Sequence, residues 1–385
     1  MNDIMDRIRA AYEAELKNPR QVTDPKEVPP TYEAMTPEWL TKVLCKAAPG
    51  SQVQGFRFDV RDDGSSNRRR IFIDYNQAGK DAGLPASVFC KAAENLHNRI
   101  VLGVSGTAAA EANFYNLVRE RLPIEAPKAL YAGFDPENFA YLIMMRDMGD
   151  SAQFPTDKTL LTRANAEAMV ETLAGLHSTF FQSPELGSAT IPFKTWPVWW
   201  SEMMTGAPTF PACCDAAFGE AESVIPARLF RRRAEVWPCT DKSVQRHNEL
   251  PHTLIHSDVH IKNWYIAPSG AMGLHDWQLA TIGFWARDFV FSTTTALTVE
   301  QRRAWQLDLL RLYLEKMAQK GAPQMGFDEA FLNIRQQLMT ALAFWTITLH
   351  PTADMPAMQP EDTTMELIKR MATAIDDYDS LDSFG

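Results

Sequence analysis

The sequence predicts an α+β chain in which a small β-rich region precedes a larger, mainly helical one. Before residue 150, short runs of β-branched and aromatic residues alternate with helical periodicity, whereas afterwards most apolar residues recur at helical spacing. One β-rich stretch at residues 253–277 interrupts this second pattern. We therefore predict an N-terminal helical extension at 1–50, a β-rich lobe at 51–148 and a helical lobe at 149–385.

Length and composition are those of an ordinary folded protein. The 385 residues are 45% apolar, which is enough to fill substantial cores, and the formal net charge of -10 includes no long block of like charge. No basic tract resembles a nucleic-acid footprint, so we do not expect a nucleic-acid partner. Charged residues or proline break every apolar run before it reaches bilayer length, which predicts no membrane span.

The N-terminus and the cysteines indicate a cytoplasmic protein. Residues 1–17 have the pattern of a charged amphipathic helix and lack the apolar core of a secretory signal. The five cysteines include no CxxC pair, so the sequence suggests neither a disulfide framework nor a thiolate zinc site. We expect a reducing cytoplasm. The sequence predicts no oligomeric state.

The strands and helices follow from turn residues and apolar spacing. Residues 53–60 and 70–75 flank the turn-forming run 62–67, which predicts an antiparallel hairpin. A helix is expected over 107–122, capped by Ser105 or Thr107. Further predicted strands are 87–91, 129–133 and 141–145, and further predicted helices are 163–181, 300–320 and 328–349.

The β-rich stretch carries the candidate chemistry. Asn263 and Asp276 lie six residues to either side of the turn Ser269-Gly270, so a hairpin folded there would bring their side chains roughly opposite one another. An amide oxygen and a carboxylate are hard ligands that suit Mg²⁺ carrying nucleotide phosphates. Asp258 could accept a proton from an attacking hydroxyl. These residues predict a phosphoryl-transfer site.

The spacing His256-x-Asp258-x-x-x-x-Asn263, followed by strand, turn, strand and Asp276-Trp-Gln, resembles the aminoglycoside phosphotransferase and choline kinase-like family. The resemblance is most specific over residues 253–292. It implies a two-lobed, protein-kinase-like fold and an ATP-dependent small-molecule kinase. By this resemblance Asp258 is the catalytic base, Asn263 and Asp276 bind Mg²⁺, and His256 supports the loop.

Three further positions complete the comparison with that family. Arg287-Asp288-Phe289 resembles the family's Asp-Leu-Ala segment and implies that Asp288 anchors the site from behind. Ser257 stands where many relatives have glycine. His260 stands where protein kinases have lysine, which argues against a protein substrate.

A nucleotide site is expected in the β-rich lobe. Lys91 ends a predicted strand, and Glu111 lies on the apolar face of the next helix, where a buried carboxylate needs a partner. A Lys91 to Glu111 pair that holds the lysine at the nucleotide phosphates would explain both positions. The alternative is that Glu111 only favours the helix N-terminus through the macrodipole.

Two other segments could contact the nucleotide. Ser65, Ser66 and nearby backbone amides in the first hairpin could fold over the phosphates, although no glycine-rich phosphate motif is present. The segment 141–148 resembles the family's hinge, which implies that backbone groups around Met144 to Arg146 bind adenine.

The phosphate acceptor is expected to be a small hydroxylated molecule. Aromatic residues and methionines cluster at 193–214, where they could line a pocket for a flat, apolar alcohol or could be ordinary helix packing. Scattered acidic residues do not establish a site for a cationic aminoglycoside or choline.

Two other functions fit parts of the sequence. The histidines and aspartates around 256–276 could form the metal cluster of a metallohydrolase, although that function leaves Lys91 and Glu111 without a role. A non-catalytic nucleotide-binding module would retain the fold but would not require Asp258.

Overall fold

A computed structural model describes residues 2–352, 355 and 358–385 of the chain, which forms two compact units. The first unit is Met1–Arg119 with Pro127–Ser151, and the second is Glu120–Ala126 with Ala152–Gly385. The boundaries expected at residues 50 and 148 stay predictions.

An antiparallel sheet of five strands is central to the first unit. The strands are β1 (Val53–Asp63), β2 (Asn67–Tyr75), β3 (Ser87–Ala92), β4 (Ala129–Phe134) and β5 (Tyr141–Arg146). Their order is β1-β2-β3-β5-β4. The hairpin predicted at the start of the sheet is present, but Asp63 pairs with Asn67, so the strands are longer and the connecting turn is shorter than expected.

The helices of the first unit are α1 (Asn2–Lys17), α2 (Pro37–Leu44), α3 (Gln77–Asp81), α4 (Leu96–Ser105) and α5 (Thr107–Asn113). Helix α4 was not predicted from the sequence. The helix expected over 107–122 begins as α5 and continues as a π turn (Phe114–Val118) and a 3-10 turn (Arg119–Arg121). The predicted cap was wrong, because Gly106 precedes α5 with a φ of 76° and no side chain caps the helix.

The apolar core of the first unit lies on the sheet. Ile71, Ile73 and Tyr75 are buried at alternate positions of β2, as expected for a strand with one face on a core. Trp39 of α2 packs edge-on against Tyr131 of β4 with ring centroids 4.8 Å apart. The region before the sheet therefore contributes to the core of this unit.

The second unit is mainly helical. Its helices are α6 (Arg163–Thr179), α7 (Trp196–Gly206), α8 (Phe210–Glu220), α9 (Ala227–Phe230), α10 (Arg233–Arg246), α11 (Ala286–Ala296), α12 (Val299–Gln319), α13 (Phe327–Leu349) and α14 (Glu361–Asp377). Four strands of three residues interrupt them: β6 (Thr253–Ile255), β7 (Trp264–Ile266), β8 (Met272–Leu274) and β9 (Thr281–Gly283). β6 pairs with β9 and β7 pairs with β8, both antiparallel.

Helix α11 is the buried centre of the second unit. All eleven of its residues are buried, and it packs against α13, α14, α6 and α12. A helix that is covered on every side has little freedom to move, so its first turn is a firm support for neighbouring loops. Across the described ranges, none of the helices has the length and apolar content needed to cross a membrane.

The aromatic cluster at 193–214 is part of this core. Trp196, Trp199, Trp200 and Phe210 are all buried, and they pack together with apolar residues of α10 and α13. Trp196 and Trp199 stack with ring centroids 5.3 Å apart. Of the two interpretations left open by the sequence, the structure supports helix packing, here within the second unit, rather than an open pocket wall.

Candidate active site

The loop that follows β6 carries Asp258 and is held from below by Asp288 of α11. The carboxylate of Asp288 accepts the backbone N–H of His256 at 2.6 Å and that of Ser257 at 2.9 Å. Both of these residues and Asp288 are buried. The two hydrogen bonds fix the loop to the rigid first turn of α11, which is the anchoring role that the family resemblance implied for Asp288.

Asp288 is itself supported by two residues that the sequence analysis did not identify. Nε2 of His177 lies 3.3 Å from Asp288, and Nδ1 of the same ring lies 2.8 Å from the Tyr313 hydroxyl. Burial tends to raise the pKa of Asp288, but hydrogen bonds and the nearby histidines outweigh it and lower the pKa. The only signal in the sequence was a histidine on the apolar face of α6.

Ser257 adopts a left-handed backbone conformation with a φ of 68°. This conformation costs a residue with a side chain about 1–2 kcal/mol, a cost that glycine, the residue expected here from the family resemblance, would avoid. The Ser257 hydroxyl lies 2.6 Å from that of Thr281 in β9. The side chain therefore has a local partner that glycine would lack.

His256 braces the loop through both ring nitrogens. Its Nδ1 accepts the backbone N–H of Asp258 at 3.2 Å, and its Nε2 lies 3.0 Å from the His275 carbonyl, to which it donates. This arrangement requires the neutral ring with hydrogen on Nε2. Because both nitrogens are engaged, the geometry supports a bracing role for His256 rather than one as a proton acceptor.

Asp258 and Asn263 form one hydrogen-bonded group. Nδ2 of Asn263 donates to the Asp258 carbonyl at 2.7 Å and to its Oδ2 at 3.1 Å. The side chain of Asp258 remains 26% exposed, so its carboxylate can be reached from solvent. Because the amide nitrogen is directed at Asp258, the amide oxygen of Asn263 is directed away from it, which suits a ligand of a hard cation.

The register of β7 and β8 differs by one residue from the prediction. Trp264 pairs with Leu274, and the His275 backbone N–H donates to the Asn263 carbonyl at 3.0 Å. His275 rather than Asp276 is therefore opposite Asn263. Asp276 comes next, with a φ of 65° and a ψ of 67°, at the point where the strand ends and a 3-10 turn begins. An amide oxygen and a carboxylate on adjoining segments fit Mg²⁺ by donor type.

His260 lies between the candidate carboxylates and the aromatic residues. Its Nε2 is 3.7 Å from Oδ2 of Asp258, and its ring packs edge-on against Trp345 at 5.5 Å. Burial lowers the pKa of His260 despite the opposing charges of Asp258 and Asp276. Burial therefore favours the neutral ring of His260.

The structure does not support the histidine metal cluster of the alternative hydrolase function. Among the residues described, no group of three or more His, Cys, Asp or Glu side chains could hold a metal ion. A catalytic zinc site normally has three such protein ligands. The oxygen pair of Asn263 and Asp276 thus fits a cation that takes its other ligands from a nucleotide.

In the first unit, Lys91 and Glu111 form the predicted ion pair. Nζ of Lys91 lies 3.0 and 2.9 Å from the two carboxylate oxygens of Glu111, and both residues are buried. The Tyr141 hydroxyl donates to the same carboxylate. The macrodipole alone does not account for these contacts. A role for this pair at a nucleotide stays a prediction.

The turn that contains Ser65 and Ser66 is held by buried polar side chains. Nδ2 of Asn98 donates to the carbonyls of Gly64 and Ser65 at 2.7 and 2.8 Å. Ser65 is exposed, whereas Ser66 is only 3% exposed. Of the two predicted phosphate contacts, the geometry therefore favours Ser65.

The predicted adenine contacts at Met144 and Arg146 have different surroundings. β5 lies between β3 and β4, and Met144 pairs with Cys90 on one side and Tyr131 on the other. A strand with two neighbours uses its backbone groups within the sheet, which leaves the Met144 backbone less available to adenine, and its adenine contact stays a prediction. Arg146 pairs with Val88 alone in the described sheet and is exposed, so its adenine contact stays a prediction.

Solved structures share this fold. A Ralstonia eutropha JMP134 protein provisionally named as an aminoglycoside phosphotransferase superposes with a TM-score of 0.51 at 13% identity, covering 89% of this chain and 98% of that one. The predicted α+β, protein-kinase-like fold, with a small β-rich N-lobe and a larger helical C-lobe, is confirmed.

Two more distant similarities were also found. Ethanolamine kinase from Plasmodium vivax has a TM-score of 0.47 at 10% identity, covering 85% of this chain and 83% of that one. Choline kinase LicA from Streptococcus pneumoniae has a TM-score of 0.45 at 10% identity, covering 88% and 98%. Comparison with curated proteins gave no match.

The family assignment comes from the sequence of the central region. Residues 98–325, more than half of the chain, match the model of the phosphotransferase enzyme family (APH). This range includes Glu111 and the whole loop and hairpin from His256 to Asp276. The chain therefore belongs to the phosphotransferase enzyme family.

Proposed function

We propose that the protein is an ATP-dependent small-molecule kinase that transfers the γ-phosphate of ATP to a hydroxyl group. Asp258 is the catalytic base, and Asn263 and Asp276 are the protein ligands of Mg²⁺. The observation that carries this proposal is the double hydrogen bond from the Asn263 amide to Asp258, at 2.7 and 3.1 Å. One side chain thereby links the proposed base to the proposed metal site.

The reaction is an in-line displacement at phosphorus. The acceptor oxygen forms a bond to the γ-phosphorus, the bond from that phosphorus to the bridging oxygen of ATP breaks, and ADP leaves with the electron pair. The acceptor hydroxyl gives its proton to the Asp258 carboxylate. When bound, Mg²⁺ neutralises negative charge on the phosphates. His256 and Asp288 keep the loop in place while Asp258 orients the hydroxyl.

Residues of the first unit would bind the nucleotide. Lys91 would contact the phosphates, and Glu111 would hold the lysine ammonium through the contacts at 2.9 and 3.0 Å. The Tyr141 hydroxyl fixes one oxygen of Glu111. Ser65 would contribute a hydroxyl to the phosphates, and the backbone at Arg146 would contact adenine.

The proposed acceptor is a small hydroxylated molecule. Burial of the tryptophans at 196, 199 and 200 removes the main argument for an aromatic pocket, so an apolar or aromatic alcohol is one class among several to test. We propose a cytoplasmic location, because all five cysteines are free thiols and four of them are buried. Neither a nucleic acid nor a membrane is part of the proposed reaction.

A screen for ATP consumption tests the proposal. Purified protein with Mg²⁺ should convert ATP to ADP only when an acceptor is present, across a panel of amino alcohols, aminoglycosides, sugars, sterols and aromatic alcohols. Asp258→Asn should bind ATP as the wild type does and lose turnover by orders of magnitude, because only proton acceptance is removed. Asp308→Asn, at an exposed position of α12, is the matched control and should retain full activity.

Other outcomes would favour the alternative functions. ATP binding without turnover on any acceptor, with Asp258→Asn indistinguishable from wild type, would indicate a non-catalytic nucleotide-binding module. Tightly held zinc together with hydrolysis that needs no ATP would indicate a metallohydrolase.

A further inference from the structure

Arg287 is a buried cation directly beside the loop of Asp258. It lies in the first turn of α11, one residue before Asp288, and is completely buried. Its Nη2 donates to the Ser257 carbonyl at 2.8 Å. Both backbone groups of Ser257 are thus held by α11. Arg287 donates to the Ser257 carbonyl, and the Asp288 carboxylate accepts the Ser257 N–H.

The Ser257 carbonyl belongs to the peptide plane that ends at the Asp258 nitrogen. A peptide unit is rigid, so fixing its carbonyl oxygen also orients its N–H. That N–H donates to Nδ1 of His256 at 3.2 Å. The plane before the proposed base is therefore held at both ends, by Arg287 and by His256. Holding this plane sets the direction in which the backbone enters Asp258.

The rest of the guanidinium is held by α7 and α13. Its Nη1 donates to the Thr340 hydroxyl, and the guanidinium carbon lies 3.7 Å from the centre of the Trp196 ring. Nε has no hydrogen-bond partner among the described residues. Burial lowers the pKa of Arg287 to about 9, against the opposing charges of Asp288 and Asp258. Burying this cation is unfavourable, and a leucine or methionine of similar volume would avoid that cost.

We infer that Arg287 is a positioning residue for Asp258. It uses its hydrogen bond to the Ser257 carbonyl to hold the proposed base in its reactive orientation. Trp196 and Thr340 fix the guanidinium, so the buried aromatic cluster supports the catalytic loop rather than binding the acceptor. A planar fork with several donors can reach both partners at once, which a lysine ammonium cannot do from the same position. This inference depends on the proposed role of Asp258.

The first test compares Arg287→Lys with Arg370→Lys. Arg370 is also buried and donates to two backbone carbonyls, those of Thr295 at 2.7 Å and Asp157 at 2.6 Å, so it is a matched control. Arg287→Lys should lower kcat by about 10- to 100-fold because a misplaced catalytic group reacts slowly, with the Kd for ATP unchanged. Arg370→Lys should reduce stability and leave kcat unchanged. Equal effects of both variants on kcat would overturn the inference.

A double-mutant cycle separates positioning from a general structural role. Arg287→Lys should change the residual kcat of Asp258→Asn by less than about twofold, because the group that it positions is already absent. The same fold loss in both backgrounds would show that Arg287 does not act through Asp258. If Asp258→Asn alone retains wild-type turnover, the proposed function fails together with this inference. If Asp258→Asn loses turnover and Arg287→Lys does not, only the inference fails.

A milder variant keeps the test decisive if Arg287→Lys does not fold. Thr340→Val removes only the hydroxyl that receives Nη1 of Arg287, and it should lower kcat by about 3- to 10-fold at unchanged ATP affinity. Thr346→Val is its control, because the buried Thr346 hydroxyl donates to the Leu342 and Ala343 carbonyls of its own helix. If Thr340→Val has the same kcat as Thr346→Val, the inference is wrong.

Discussion

Lys91 and Glu111 form a buried ion pair in which Nζ lies 3.0 and 2.9 Å from the two carboxylate oxygens. Removing the cation from a buried pair is strongly destabilising, typically by about 3–5 kcal/mol, because the carboxylate stays in a low-dielectric site. We therefore expect Lys91→Met to lower the free energy of unfolding by about this amount. Urea denaturation is the measurement.

The matching double variant is the control for this prediction. In Lys91→Met with Glu111→Gln, the buried charge is gone, while the side chain can still accept from Tyr141. The double variant should therefore be more stable than Lys91→Met alone. Its affinity for ATP should be lower than that of the wild type, because both variants lack the proposed phosphate-binding lysine. Losses that simply add would contradict the ion-pair explanation.

The left-handed conformation of Ser257 gives a second prediction, for two substitutions at one position. Both Ser257→Gly and Ser257→Ala lose the hydroxyl contact with Thr281 at 2.6 Å, but only glycine relieves the cost of a φ of 68°. Ser257→Gly should therefore be more stable than Ser257→Ala by about 1 kcal/mol in thermal or urea unfolding. An alanine variant as stable as the glycine variant would disprove this account.

A third prediction concerns the proposed metal ligands. Asp276→Ala and Asn263→Ala should each raise the Mg²⁺ concentration for half-maximal activity by about tenfold or more, because each would remove a proposed oxygen ligand. A Mg²⁺ titration at fixed ATP measures this. Asn248→Ala, at an exposed position after α10, should leave the titration unchanged. The metal assignment would fall if all three variants gave the same curve.

A fourth prediction concerns acid stability and His247. Burial lowers the pKa of this histidine from 6.5 to about 3, and its ring accepts the backbone N–H of Phe284 at 3.0 Å. Below pH 6.5, His247 becomes protonated in the unfolded chain but stays neutral in the folded protein. The contribution of His247 to the free energy of unfolding is therefore fully present above pH 6.5 and is lost as the pH decreases toward 3.

The size of this effect can be measured against a variant without the histidine. Wild type should lose about 1.4 kcal/mol of unfolding free energy per pH unit over that range relative to His247→Asn. Urea unfolding at a series of pH values gives the two slopes. Parallel slopes would mean that His247 is protonated equally in both states.

The fifth prediction distinguishes packing from substrate binding at the aromatic cluster. Trp200 is 4% exposed and contacts Phe210, Trp237 and Phe344. Trp200→Ala should reduce stability by about 3–5 kcal/mol through loss of packing and formation of a cavity. The rank order of accepted substrates should not change. A stable variant with altered acceptor preference would restore the pocket interpretation.

Contacts between residues that are close in sequence were easier to predict than contacts between distant elements. Asp258 and Asn263 are five residues apart, so their hydrogen bond lies within a single loop, and their spacing was sufficient to predict a shared site. Lys91 and Glu111 are further apart, but a carboxylate on the apolar face of a helix required a nearby cation. Both predictions depended on chemistry rather than on exact geometry.

Relationships between distant elements could not be predicted in this way. The predicted pairing of β7 and β8 differs from the observed register by one residue, because the exact pairing depends on the hairpin geometry. His275, and not Asp276, lies opposite Asn263. The pairing of Met144 with both Cys90 and Tyr131 was not predicted, because local sequence does not specify which strands lie on the two sides of β5. Helix α4 was missed entirely.

By itself, the sequence determined the fold class and the family, because motif spacing and apolar periodicity are local properties. It also predicted the proposed base, metal ligands and nucleotide lysine. Only the tertiary structure decided what holds those groups in place. Arg287 contacts the loop of Asp258 directly, whereas His177 supports it through Asp288 and Tyr313 contacts His177. All three lie on helices that are far from the loop in sequence. Their importance arises from burial and hydrogen-bond direction, which exist only once the chain has folded.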